Sequence, residues 1–237
     1  GLAPRADQGK AVTETEFSIN PYSGELVVRG ADSALLTTLA ARLGGTVDLD
    51  CGQCPPPQVS QPTRADAEIS GMVRVAGFAH QSMVDGPGLR SVLFAQGCPR
   101  RCAECRNSHS QNFEAGILMT LDAVLAELLR PDYPRDGVTI SGGEPLAQPE
   151  ACAELAARLK ATGIHVAVYT GYTYEEVAWS TDPAVRRVLE LADVVIDGPY
   201  VVALHERRLP YRGSSNQRVI DLRATREVGE LRLLDVD

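Results

Sequence analysis

Three cysteines within eight residues, Cys98-Pro-Arg-Arg-Cys102-Ala-Glu-Cys105, constrain this chain more than any other feature. Thiolates at C-x3-C-x2-C spacing wrap one face of a metal centre. A closed tetrahedral zinc site, or a fully ligated cubane, needs four protein ligands. Three ligands on a four-iron cluster leave one iron open, and an open iron can bind a substrate or cofactor. Zinc competes with that reading, because the triplet would also serve as part of a zinc site completed by Cys51, Cys54 or a histidine.

Composition narrows the setting. The chain has 237 residues, 44% of them hydrophobic, enough for one substantial α/β domain with a small addition. Acidic side chains outnumber basic ones, 31 to 23, for a net charge of -8. That balance argues against a phosphate backbone as partner, so no nucleic acid is expected. No segment reaches the roughly 18 apolar residues of a membrane-spanning helix, and no membrane partner is expected. The first residues lack the apolar stretch of a signal peptide, which predicts a cytoplasmic protein. Six clustered cysteines suit metal ligation in a reducing compartment better than a disulfide framework.

Residues 1–13 are small and polar, without period, and read as disordered. Residues 14–54 read as a small α+β appendage of ββαβ order. Its hairpin would pair Glu16–Ile19 with Glu25–Val28 around Asn20-Pro-Tyr-Ser-Gly24. Its helix would carry Leu35, Leu36, Leu39 and Leu43 behind Asp32, ahead of strand Thr46–Asp50. Pro-rich residues 55–70 read as a mobile linker. In residues 71–237 strands and helices alternate. Strands are expected at Val73–Phe78, Ser91–Ala95, Gly137–Ile140, His165–Tyr169 and Asp193–Ile196. Helices are expected after the cap Thr120, from Pro149 to Thr162, and around Tyr174–Ala178 and Pro183–Leu191. Repeated β–α units imply a parallel sheet with right-handed crossovers. They are too few to close an eight-fold barrel, so an open partial barrel is expected.

The second chemical motif, Ser141-Gly-Gly-Glu-Pro145, ends the strand that begins at Gly137. Two glycines at a strand end let a ligand approach the backbone closely, and Glu144 offers a carboxylate suited to an ammonium group. Alone, such a turn is an ordinary strand-to-helix connection. Downstream of the cysteine triplet it favours the cluster over zinc, and the pairing resembles the radical S-adenosylmethionine (SAM) enzymes. Residues 72–222 further resemble the activating proteins of anaerobic ribonucleotide reductases, in the glycyl-radical activase branch. The matching stretches are Val84-Asp-Gly-Pro-Gly-Leu-Arg90, Phe94-Ala-Gln-Gly-Cys98, Tyr169-Thr-Gly-Tyr172, Asp193-Val-Val-Ile-Asp-Gly-Pro199 and Arg212-Gly-Ser-Ser-Asn-Gln-Arg218. Two positions depart from the family's pattern: Glu104 stands where glycine is usual, and Arg106 where histidine or tyrosine is usual. Asn107 matches. A cation at 106 is expected to raise the cluster potential slightly and to alter partner recognition.

The resemblance implies an open partial (β/α) barrel of the radical SAM type. It assigns Cys98, Cys102 and Cys105 to a [4Fe-4S] cluster, and SAM contacts to Ser141, Gly142, Gly143, Glu144, Asn107, Thr170 and Gly171. Asp85, Gly86 and Gly88 would lie near the substrate glycine. The implied reaction is reductive cleavage of SAM at the cluster and removal of hydrogen from a glycine of an anaerobic ribonucleotide reductase. A flavodoxin or ferredoxin would supply the electron. Alternatives are activation of another glycyl-radical enzyme, a peptide-modifying radical SAM enzyme, or a non-catalytic zinc or Fe–S module.

Cys51-Gly-Gln-Cys54 lies outside the resemblance. It reads as a redox pair, half of a second metal site, or two unpaired thiols, within an appendage suited to docking or regulation. Cys152 shares a helix face with Leu155 and Leu159 and reads as core. Of the four histidines, only His109 lies close to the cysteine loop in sequence.

Overall fold

The computed structural model describes residues 71–236, together with the backbone of 16–19 and 26–29. The chain divides into two compact units, residues 1–55 and 56–237. In the first, β1 (Glu16–Ile19) and β2 (Leu26–Arg29) form an antiparallel ribbon with Phe17 opposite Val28. The second strand starts one residue later than its sequence suggests. The expected helix behind Asp32, strand Thr46–Asp50, Cys51, Cys54 and the linker lie outside the described residues.

The second unit is a seven-stranded sheet. Its strands are β3 (Met72–Ser82), β4 (Arg90–Ala95), β5 (Ile117–Thr120), β6 (Gly137–Gly142), β7 (His165–Tyr169), β8 (Val194–Asp197) and β9 (Arg218–Asp221). Their spatial order is β5-β3-β4-β6-β7-β8-β9, open at both ends. The middle four, β4, β6, β7 and β8, run parallel, while β3, β5 and β9 join antiparallel. The sheet is therefore an open α/β sheet, as expected, but mixed rather than wholly parallel. The turn between β3 and β4 is short enough to make a hairpin, which forces antiparallel pairing.

Helices α1 (Leu121–Leu128), α2 (Pro149–Ala161), α3 (Tyr174–Ala178), α4 (Pro183–Leu191) and α5 (Leu222–Val228) complete the unit. Each of α1, α4 and α5 begins at a side-chain cap: Thr120, Asp182 and Asp221 accept from Ala123, Ala184 and Ala224 amides. Helix α3 starts with a capping box between Thr173 and Glu176. Leu128, Leu155 and Leu159 from the helices meet Leu93, Ile140, Val166 and Val195 from the sheet in the main core. Fully burying each such leucine contributes roughly 1.5–3 kcal/mol. Cys152 is fully buried in this core, as its helical spacing indicates, and burial pushes its thiol up to about 12.

The opposite face of the sheet carries a smaller apolar cluster, Ala167, Val194, Ile196 and Val219, covered by Tyr211, Leu234 and Val236. Burying helices on one face leaves the other face to polar groups and loops. The carboxyl ends of the parallel strands gather at one rim, and there the two motifs meet.

Candidate functional site

Strand β4 feeds directly into the cysteine loop, and β6 into the Ser141–Pro145 turn. Because β4 and β6 are parallel neighbours with Ala95 opposite Gly142, both motifs leave the sheet side by side. Hydrogen bonds fasten them together. Gly143 N donates to Ala95 O at 2.8 Å, and Glu144 N to Gly97 O at 2.8 Å. Asn107 Nδ2 donates to Gly142 O at 3.3 Å. A Cβ on Gly143 would stand 2.3 Å from Gly97 O and 2.7 Å from Ser110 O. The close backbone approach that glycine permits here is thus made by the chain's own cysteine loop.

The loop is held at its base by Gly97 N donating to Ser110 O and Cys98 N to Gln111 O, at 2.7 and 3.1 Å. Buried Gln96 donates to Asn112 O at 2.6 Å and closes the same neck. Inside it, Arg101 and Glu104 adopt left-handed backbone with φ of 47° and 52°. Such residues cost energy that only the surrounding fold can impose. The left-handed turn at Glu104 also gives a physical reason for the glycine usual at that position in the resembling family.

Cys98, Cys102 and Cys105 are free thiols, each partly exposed. Burial raises Cys98 above the ordinary thiol range, against an opposing hydrogen bond from the Arg100 backbone. Among the described residues, no three His, Cys, Asp or Glu side chains are gathered tightly enough to hold a single metal ion. An iron–sulfur cluster places each thiolate on a different iron and needs a wider set. Three partly exposed thiols on one loop, with no fourth cysteine beside them among the described residues, fit such a cluster with one open iron.

The next strand completes the rim. Glu144, 1% exposed, accepts from Leu146 N and Thr170 Oγ1 through Oε1, and from Gly171 N through Oε2, at 3.0, 2.9 and 2.8 Å. Burial raises its pKa, opposed by the amides of Gly171 and Leu146 and the Thr170 hydroxyl. Glu144 and Thr170 are therefore bound to each other, tying the end of β7 to the turn after β6. Ser141, Gly142, Gly143, Glu144, Asn107, Thr170 and Gly171 all lie in this one network or beside it.

Asp85, Gly86 and Gly88 lie elsewhere. Their loop precedes β4, whereas the cysteines follow it, and six strand residues span about 20 Å. The loop folds back over the open face, where Asp85 O accepts from Thr139 Oγ1 at 2.6 Å. The Asp85 carboxylate accepts from Ser82 Oγ at 2.5 Å. Met83 and Val84 beside it are 76% and 73% exposed. His109 is exposed, and its backbone carbonyl rather than its ring meets the Gln96 amide.

Several rim residues had no assigned role in the sequence beyond, for most of them, falling in stretches that match the family. Arg100 lies with its guanidinium carbon 4.7 Å from the Tyr172 ring centre. Tyr172 O accepts from Gly198 N at 2.9 Å. Asn216 Nδ2 donates to Pro199 O at 2.7 Å, and Gln217 bonds Gly198 O, Gly213 N and Ser214 N. Arg218 bridges buried Asp197 and Glu175 of α3. The Arg212–Arg218 and Asp197–Pro199 stretches thus clamp each other and fix this side of the rim. Matching donor and acceptor residues across a long loop is a pairing that one sequence does not display.

The model of the 4Fe-4S single cluster domain matches residues 84–220. The pyruvate formate-lyase-activating enzyme of Clostridium pasteurianum is 42% identical over 119 residues, 47% of this chain and 50% of that protein. The anaerobic ribonucleoside-triphosphate reductase-activating protein of Salmonella typhimurium is 34% identical over 149 residues, 60% of this chain and 94% of that protein. Its counterpart from phage T4 is 36% identical over 142 residues, 57% of this chain and 86% of that protein. The chain spans half the length of the clostridial relative and most of the other two.

Proposed function

We propose that this chain, which belongs to the radical SAM glycyl-radical activase family built on the 4Fe-4S single cluster domain, generates a glycyl radical on an anaerobic ribonucleotide reductase. One observation carries the choice of partner. The reductase-activating protein of Salmonella typhimurium is matched over 94% of its length. Higher identity to half of the clostridial enzyme favours a second reading, activation of a pyruvate formate-lyase.

Cys98, Cys102 and Cys105 would hold the [4Fe-4S] cluster. When bound, the cluster supplies the electron that splits a carbon–sulfur bond of SAM, so that a SAM-derived carbon radical takes hydrogen from the partner's glycine. The chain's own residues prepare that event. Glu144, locked by three donors, holds the end of β7 against the turn after β6, so both backbone segments keep their places as SAM enters. Asn107 anchors the cysteine loop to Gly142. Preorganisation of this kind removes the need for rearrangement at the moment of reaction.

The partner's glycine loop would approach the open sheet face beside Asp85, Gly86 and Gly88. Exposed Met83 and Val84 form an apolar lip there. Arg101 and Arg106 are exposed on the cysteine loop and suit an acidic one-electron carrier such as a flavodoxin or ferredoxin. The 14–54 appendage, with Cys51 and Cys54, would serve docking or regulation. No helix among the described residues is long and apolar enough to cross a membrane.

Electron paramagnetic resonance tests the proposal. Anaerobically reconstituted protein is reduced with SAM and either a reductase or a pyruvate formate-lyase. A glycyl-radical doublet on the reductase supports the first reading, and one on the lyase alone supports the second. No radical on either would reject both.

A further inference from the structure

Among the described residues only two buried side-chain polar atoms have no hydrogen-bond partner, Arg100 Nε and Asn216 Oδ1. Arg100 stands out because its whole guanidinium is uncommitted. It lies within the cysteine loop, two residues from Cys98 and from Cys102, and its side chain makes neither a hydrogen bond nor an ion pair. Its one fixed contact is the face of Tyr172. A guanidinium carries five donors in a rigid fork that matches a carboxylate. Leaving the buried Nε unpaired is costly, and such groups mark a position completed by something else.

The surroundings define what completes it. The Arg100 stem crosses Gly171 so closely that a Cβ there would stand 2.4 Å from Arg100 Cδ and 3.0 Å from Nε. The absence of a side chain at 171 is what admits the arginine. The nearby carboxylate, Glu144, feels the Arg100 charge, which works to lower its pKa, but forms no hydrogen bond with it. Both Glu144 oxygens are turned to Leu146, Thr170 and Gly171. The cation is therefore held at the rim, over the junction of β6 and β7, with its hydrogen-bonding fork open to an incoming anion.

Resting on the proposed SAM chemistry, we infer that Arg100 is a positioning residue that binds the carboxylate of the aminoacyl end of SAM. Three features converge on that group. The site takes an amino-acid-derived molecule, a carboxylate is its only anionic part, and the unpaired fork suits a bidentate anion. Tyr172 stacks behind the guanidinium and Gly171 fixes its stem, so the fork is preorganised. Arg101 and Arg106, exposed on the same loop, lack such support.

The test is equilibrium binding to anaerobically reconstituted protein, with two ligands and three forms of the chain. The ligands are SAM and its decarboxylated analogue, which retains the adenosyl and amine groups. Arg100→Gln should weaken SAM binding by about 10- to 100-fold, the range of a lost charge-assisted hydrogen-bond pair. It should leave the analogue's affinity within about twofold. Arg100→Lys should recover part of the loss, since it restores charge without the fork. The visible cluster absorbance confirms that each form is loaded, and if Arg100→Gln fails to load, Arg100→Lys carries the same comparison. Equal losses for both ligands, or no loss with SAM, would overturn the inference. A wild-type protein that loads its cluster but binds no SAM would instead overturn the functional reading beneath it.

Discussion

Arg90 opens strand β4 and Arg100 lies in the loop that follows it, and they are held in opposite ways. Arg90 is 1% exposed, and its donors reach Thr139 Oγ1, the carbonyls of Pro87, Val138 and His165, and His165 Nδ1. Because the guanidinium only donates, His165 accepts at Nδ1 and carries its proton on Nε2. Burial pulls Arg90 down to about 10, with Asp193 and Asp136 opposing, and burial lowers His165. Beyond the other end of β4, the Arg100 guanidinium donates to nothing. The same side chain closes a structural network at the amino ends of the strands and waits for a ligand at their carboxyl ends. Hydrogen-bond satisfaction, more than burial, separates a residue that holds the fold from one that serves the site.

The sharpest way to break this contrast is through the ligands themselves. Cys102→Ala should abolish SAM cleavage, a loss exceeding the roughly 100-fold typical of changes beyond the direct ligands. Iron content and 5′-deoxyadenosine measured together would show it, while the unfolding free energy stays within about 1 kcal/mol of wild type. At the closed end, Arg90→Met should cost about 2–4 kcal/mol, because the Val138 and His165 carbonyls lose their donor. Urea unfolding reads that loss. A neutral result would mean that the buried network does not support the fold.

A gentler probe is Gly171→Ala, which should push the Arg100 stem aside and weaken SAM binding by about tenfold with the cluster still loaded. Wild-type affinity would show that Arg100 has freedom to move without consequence. The smallest effect belongs to Asp193 at the amino ends. Burial works to raise its pKa, but Lys160 at 2.6 Å and the Val166 amide at 2.8 Å outweigh it and hold Asp193 below 3.8. A carboxylate depressed by folding stabilises the native state above its unfolded pKa, and the contribution fades as pH falls below 3.8. Asp193→Asn should therefore cost about 1 kcal/mol at pH 7, a modest figure because the Lys160 side chain is 37% exposed. The wild-type advantage should shrink as acid is added. A difference independent of pH would point to packing instead.

Much of the fold was legible because its signals are local. Strand β7 and helices α3 and α4 fall where period and caps place them, since Thr173, Asp182 and the alternating apolar residues act within a few positions. Strands β5 and β9 and helix α5 were missed. Ile117–Thr120 and Arg218–Asp221 are four residues each, and pairing with distant strands defines them. Helix α5 opens at once from β9 with an arginine-rich sequence that offers little apolar stripe. At the site, fixed spacing and unusual composition pointed to the cysteines and the Ser141–Pro145 turn. Arg100 was hidden by its position among other arginines, and Tyr172 entered only as the end of a stretch matching the family. Their meeting depends on β4, β6 and β7 lying side by side.

Cleavage of SAM by this chain is the central expectation. Protein reconstituted with iron and sulfide under anaerobic conditions, reduced, and given SAM should yield 5′-deoxyadenosine and methionine in equal amounts by chromatography. The product should vanish with Cys102→Ala. Stoichiometric zinc in place of iron, or a loaded cluster that leaves SAM intact with reductant and partner present, would contradict it.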